Sequence, residues 1–182
     1  MNENTVVVVF PSLFSLNKID YLASSISRIL KIKKLGFSKI RKNDSVIIVE
    51  ADDPVFASSA INSLFGIEKI AIAREIENSF NAIVSAITTV GTNLLLKGER
   101  FYVKVDGTGT EYVPKDVELA ATSALIEKTV DLQTKPGTEL NHDKIIYIYL
   151  TKSHAYVCIF IDKGGGGIPY KSQNEEILCC IY

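Results

Sequence analysis

Lys163-Gly-Gly-Gly-Gly-Ile-Pro-Tyr-Lys-Ser172 is the stretch on which the fold turns. Four successive residues without side chains admit positive φ and let another backbone come close, and Pro169 then fixes the direction in which the chain leaves. Just upstream lie two strand-like runs, Lys144 to Leu150 and Ala155 to Ile161, separated by Thr-Lys-Ser-His, a length that suits a hairpin. Period-two alternation puts Tyr147 and Tyr149 on one face of the first run and Ile146, Ile148 and Leu150 on the other. A third apolar run, Ile177 to Tyr182, follows the glycines.

Toward the N-terminus the pattern becomes strand, helix, strand, strand, helix, strand. Thr5 to Phe10 is a β-branched apolar run stopped by Pro11. Ile19, Leu22, Ile26, Ile29 and Leu30 recur at helical spacing, with lysines at the end of the run, where cations suit the helix dipole. Phe37 to Arg41 and Ser45 to Glu50 flank a Lys-Asn-Asp turn and predict a hairpin. Asp53-Pro54 supplies a cap and a first-turn proline for a second helix, and Ile67 to Arg74 reads as a strand. This order predicts a ferredoxin-like α/β (α+β) unit over 1–76. Over 77–182, Asn78 is positioned to cap a third helix that Gly91 would kink or thin. Phe101 to Val105 predicts a strand, Pro114 opens a fourth helix, and Val130 to Leu132 is a brief strand candidate.

Composition sets outer limits. A chain of 182 residues with 47% hydrophobic residues can bury the core of one domain or two small ones. No apolar run approaches the roughly 20 residues that span a bilayer, and the start lacks the basic region of a secretory signal. A soluble, cytoplasmic protein with no membrane partner is the expectation. Cys158, Cys179 and Cys180 form neither a disulfide framework nor a metal-ligand spacing, so buried thiols are expected and no metal. His142 and His154 stand apart from any nucleophile. The residues point to no catalytic group and to no cofactor.

A net charge of −1 argues against a surface coated throughout by nucleic acid, yet the charge is uneven. Lys31, Lys33, Lys34, Lys39, Arg41 and Lys42 fall in a stretch without acidic residues. Two readings fit that stretch: a field that attracts RNA phosphates, or a solvated helix end and hairpin.

The order of segments resembles the N-terminal part of the tRNA 4-thiouridine synthetase family, also called tRNA sulfurtransferase or ThiI. Asn62-Ser-Leu-Phe-Gly-Ile-Glu-Lys-Ile70 is similar to a passage of that family. Phe101-Tyr-Val-Lys-Val105 is similar to its basic strand, and Ala155 to Ile161 followed by Gly164 to Pro169 to its closing segment. The resemblance implies a ferredoxin-like N-terminal domain followed by a THUMP domain over 77–182. It also implies binding of tRNA near the acceptor end, in the service of tRNA modification and thiouridine synthesis. The family continues past a strand like Ile177 to Tyr182 into a nucleotide-binding loop, and the chain stops before it. The expectation is therefore a non-enzymatic module that needs a catalytic domain or partner.

On that resemblance Lys163, Gly164, Gly165, Gly166, Gly167 and Lys171 form either a pliable loop against an RNA backbone or a linker. Lys97, Arg100 and Lys104 bracket the strand similar to the family's basic strand, as phosphate contacts or as ordinary surface cations. Tyr170 stacks on an unpaired base or packs on the glycines. Lys33, Lys34, Lys39, Arg41 and Lys42 complete the RNA-binding candidates. The chain carries fewer cations than the family near its start. That difference motivates a second expectation, a protein-interaction or dimerisation module that keeps the fold without RNA.

Overall fold

The computed structural model describes residues 5–108, 111–170 and 172. They pack as two compact units. One is built on Val7–Ile70 together with the described residues after Ile161, the other on Ala71–Ile161 together with Thr5 and Val6.

In the first unit, the valine run forms β1 (Thr5–Pro11) and a 3-10 turn follows at Leu13–Lys18. Then come α1 (Ile19–Ile32), β2 (Phe37–Asn43), β3 (Val46–Ala51), α2 (Pro54–Asn62) and β4 (Ile67–Glu77). Leu22, Ile26 and Leu30 lie one helical turn apart on α1 and are fully buried against Val7, Val9, Ile47, Val49 and Ile61. Each such side chain contributes about 1.5–3 kcal/mol of burial. β2 and β3 form the expected antiparallel hairpin, with Asp44 in the left-handed conformation at φ 52. The strand order β2-β3-β1-β4 is the interleaving of a ferredoxin-like unit.

Asp53 caps α2 by accepting hydrogen bonds from the N–H groups of Val55 (3.0 Å) and Phe56 (3.1 Å). Asp53→Ala leaves those donors to water and should cost about 1 kcal/mol in urea unfolding.

The second unit contains α3 (Phe80–Leu94), β5 (Arg100–Gly107), α4 (Pro114–Lys128), β6 (Lys135–Pro136), β7 (Lys144–Leu150) and β8 (His154–Gly166). Its strands run β8-β7-β5-β6, with β5 parallel to β6 and β7, and β7 antiparallel to β8. Ile83, Ile87 and Val90 of α3 and Val117, Ala121 and Leu125 of α4 cover one sheet face, burying Phe101, Val103, Val105, Ile146 and Ile148.

Several local expectations change. Gly91 lies inside α3 and serves close packing: a Cβ there would come 2.5 Å from Leu125 Cδ2. Asn78 does not cap α3. Its amide donates to the Thr151 carbonyl (2.6 Å) and its Oδ1 accepts from the Tyr112 hydroxyl, while Ser79 occupies the cap position. Val130–Leu132 is a 3-10 turn, closed by Leu132 N–H to Thr129 O (3.0 Å), because Gln133 turns to φ 54 and stops extension. The compact units also differ from a division at 76/77. β4 runs on to Glu77, and the glycine segment packs with the first unit. Ile177 to Tyr182, including Cys179 and Cys180, lies outside the described residues.

Candidate nucleic-acid interface

The glycine run is not a free hinge. β8 continues through Gly164 and Gly165 to Gly166. A Cβ on Gly164 would sit 2.2 Å from the Ile67 carbonyl oxygen, so a residue without a side chain is what lets the strand pass. Gly66, at φ +94, donates its N–H to Gly166 O at 2.6 Å. Beyond it, Ser12 Oγ donates to Gly167 O at 2.5 Å and Ser15 Oγ to the same oxygen at 3.2 Å. Pro169 is buried against Gly66. Tyr21 Oη then donates to Tyr170 O (2.7 Å) and Lys18 Nζ to Ser172 O (2.8 Å).

This fastening leaves one side open. Lys163, Gly165 and Gly167 are exposed, Tyr170 is 68% exposed, and among the described residues no atom beyond the immediate chain neighbours lies within 4 Å of where a side chain would begin on Gly166 or Gly167. A sugar-phosphate chain can approach such a strip. Lys171 lies outside the described residues.

The remaining candidate cations are scattered over both units. Lys33 and Lys34 are exposed at the C-terminal end of α1. That end is about 21 Å, fourteen residues of helix rise, from the N-terminal end where Tyr21 holds Tyr170. Lys39, Arg41 and Lys42 lie on β2. Lys39 is exposed, but Arg41 Nε meets Glu50 at 3.3 Å and Lys42 Nζ meets Asp20 at 2.5 Å.

On the second unit Lys97 is exposed beside Gly98, whereas both cations of β5 are paired. Arg100 Nε lies 3.7 Å from Asp143, whose carboxylate also accepts the Arg100 backbone N–H at 2.8 Å. That backbone bond, more than the guanidinium charge, holds the Asp143 carboxyl below the usual range. The contact is therefore present at neutral pH and is lost as pH falls through the depressed value. Lys104 Nζ meets Glu139 at 3.1 Å. The hydrogen bond to Glu139, aided by the nearby Asp106 charge, raises its ammonium above the ordinary lysine value.

The tyrosines divide in a way that alternation alone does not reveal. Tyr147 and Tyr156 are buried, at 4% and 0% exposure, and present no face for a base. Burial first, then a hydrogen bond with Asp106, pushes the Tyr147 hydroxyl well above its ordinary value. Tyr156 Oη donates to Glu75 at 3.1 Å, and His154 Nε2 lies 3.8 Å from that carboxylate. Among the described residues no cluster of three His, Cys, Asp or Glu side chains could hold a metal, and no helix is long and apolar enough to cross a membrane.

Sequence reasoning missed the partners: Asp20, Glu50, Glu139 and Asp143 among the acids, and Ser12, Ser15, Lys18 and Tyr21 at the glycine strip. Most of them leave no short-range pattern, because the fastening contacts join residues roughly 150 positions apart and Glu139 and Asp143 meet β5 across 35 and 43.

The two folds define the class, a ferredoxin-like unit and a THUMP-type α/β unit. More particularly, the chain is similar to the corresponding ThiI region of the tRNA sulfurtransferases. No family model matches it. Over 159 residues, 86% of this chain, it is 24% identical to the probable tRNA sulfurtransferase of Methanosarcina acetivorans, of which it covers 38%. Among solved structures, PH1313 from Pyrococcus horikoshii Ot3 superposes with a TM-score of 0.79 at 19% identity, over 92% of this chain and 58% of that one. A 4-thiouridine synthetase in complex with RNA and bound ATP gives a TM-score of 0.72 at 14% identity, over 93% of this chain and 44% of that one. The chain thus spans about two-fifths of the length of the curated relatives it matches.

Proposed function

We propose that this chain is a tRNA-binding module of a tRNA-modifying system of the 4-thiouridine synthetase type. It binds structured tRNA near the acceptor end through shape and phosphate contacts, and a catalytic domain or partner carries out thiolation. On this reading it works in the cytoplasm. The observation that carries the proposal is the match over 86% of the chain to a tRNA sulfurtransferase, joined to a fold shared with a synthetase solved on RNA. A-form helices expose sugar and phosphate more usefully than base edges, so scattered lysines and an open glycine strip are suitable tools. Fluorescence anisotropy with whole tRNA tests it. Micromolar or tighter binding at low ionic strength is expected, and no binding there would end the proposal.

One observation favours a second reading, that of an interaction or dimerisation module. Arg41, Lys42, Arg100 and Lys104 are already held by acids, while Leu13 and Phe14 stand 75% and 68% exposed on the first unit. On that reading, light scattering gives a dimer mass that Leu13→Ser/Phe14→Ser reduces to a monomer. A monomer that binds tRNA decides for the first reading.

A further inference from the structure

The segment that follows β6 is built as a strap along β5. Lys135 N–H donates to Glu99 O (3.1 Å), Gly137 N–H to Phe101 O (2.7 Å) and Asp143 N–H to Arg100 O (2.8 Å), so both ends of the strap are fixed to that strand. Between them the chain closes on itself. Thr138 N–H donates to Asn141 O (3.1 Å), Asn141 N–H to Thr138 O (3.0 Å), and His142 Nδ1 lies 3.0 Å from Thr138 O. Gly137 permits this tight return, since a Cβ there would come 2.5 Å from Asn141 O. The tip of the turn is Glu139-Leu140, and Leu140 is 98% exposed.

The two acids on this strap reach the two cations of β5, but in different ways. Asp143 is part of the frame, because its carboxylate also binds the Arg100 backbone N–H. Glu139 is not. Its carboxylate is 66% exposed and accepts from the Lys104 ammonium at the tip of the turn. No backbone bond of the sheet depends on it. Such an exposed pair is held weakly and exchanges readily for another anion.

We propose that the 138–143 turn is an autoinhibitory acidic strap, in which Glu139 competes with RNA phosphate for Lys104. The proposal rests on the RNA-binding reading and adds regulation to it. Lys104 is closed on Glu139 in the free protein and transfers to a phosphate when RNA lies along β5, with the tip swinging out about its two fixed ends. Any event that draws the tip away, such as a partner that grips Leu140, raises RNA affinity by freeing a cation.

The test is anisotropy of labelled whole tRNA with the full chain, at several salt concentrations, on wild type, Glu139→Gln, Lys104→Gln and the double variant. Circular dichroism confirms that each is folded. Glu139→Gln should bind roughly two- to fivefold tighter, with a slope of log affinity against log salt close to that of wild type, because Lys104 meets a phosphate in both complexes, whereas Lys104→Gln should lower that slope by roughly one unit. With Lys104→Gln in the background, the Glu139→Gln change should give no such gain. Equal affinity for wild type and Glu139→Gln overturns the strap and leaves RNA binding intact. An identical gain with and without Lys104 also overturns it, since that is general charge repulsion. Failure of every variant to bind tRNA overturns both the strap and the function on which it rests.

Discussion

Raising the salt from about 50 to about 200 mM should weaken tRNA binding roughly 500-fold. Neutralising Lys33, Lys34, Lys39, Lys97 and Lys163 together should remove most of that dependence. All five side chains are exposed, and each phosphate they neutralise adds roughly 0.9 to the slope of log affinity against log salt. Five contacts acting together therefore outweigh any single hydrogen bond in the complex. Lys33 is the C-cap of α1 and Lys34 follows it at φ 55, while each exposed substitution to glutamine elsewhere should change stability by no more than about 0.5 kcal/mol; thermal unfolding of the fivefold variant therefore accompanies the binding measurement and separates lost binding from lost folding. The readout is tRNA anisotropy across a salt series for wild type and the fivefold variant. Equal slopes for the two proteins would show that these lysines do not meet phosphate.

The second large effect falls on the glycine run and separates its members. Gly164→Ala places a Cβ 2.2 Å from the carbonyl oxygen and 2.7 Å from the carbonyl carbon of Ile67, both backbone atoms that cannot rotate aside. β8 must move away from β4 locally, and the expected cost is roughly 3 kcal/mol. For a chain of this size that corresponds to a fall in Tm of roughly 6–12 °C. Gly165→Ala is the contrast, because its nearest neighbours are 3.9 Å away. That change should be nearly silent in thermal unfolding. If both variants melt together, the close pass at Ile67 is not what requires glycine.

Much of the fold was legible before the structure. The spacing of Leu22, Ile26 and Leu30 gives α1, and all three are buried; the alternation of Ile146, Ile148 and Leu150 gives the core face of β7. Asp53-Pro54 marks the start of α2 because a side-chain cap and a fixed φ act within four residues. Errors arose where a residue has more than one local use. Asn78 had the right chemistry for a cap, but a carbonyl and a hydroxyl distant in sequence claim its amide. Gly91 resembled a weak point in a helix, and a facing helix makes it a contact.

The candidate interface was less legible than the fold. Sequence located the cations and the glycines but assigned Lys104, Arg100, Arg41 and Lys42 no partners, and each has an acid against it. It read the glycine run as a pliable loop or a linker, and Ser12, Ser15 and Gly66 hold that run in place within the first unit.

By itself the sequence determined the four long helices and the longer strands, and the apolar face of α1 and of β7, because periodicity and capping act over a few residues; the short pieces Val130–Leu132 and Lys135–Pro136 it did not. Only the tertiary structure decided strand order, the pairing of each cation and the fastening of Gly164 to Pro169. Those depend on groups that meet across 9 to 155 positions of chain, and an ion pair or a close backbone pass leaves no trace in the spacing of either partner.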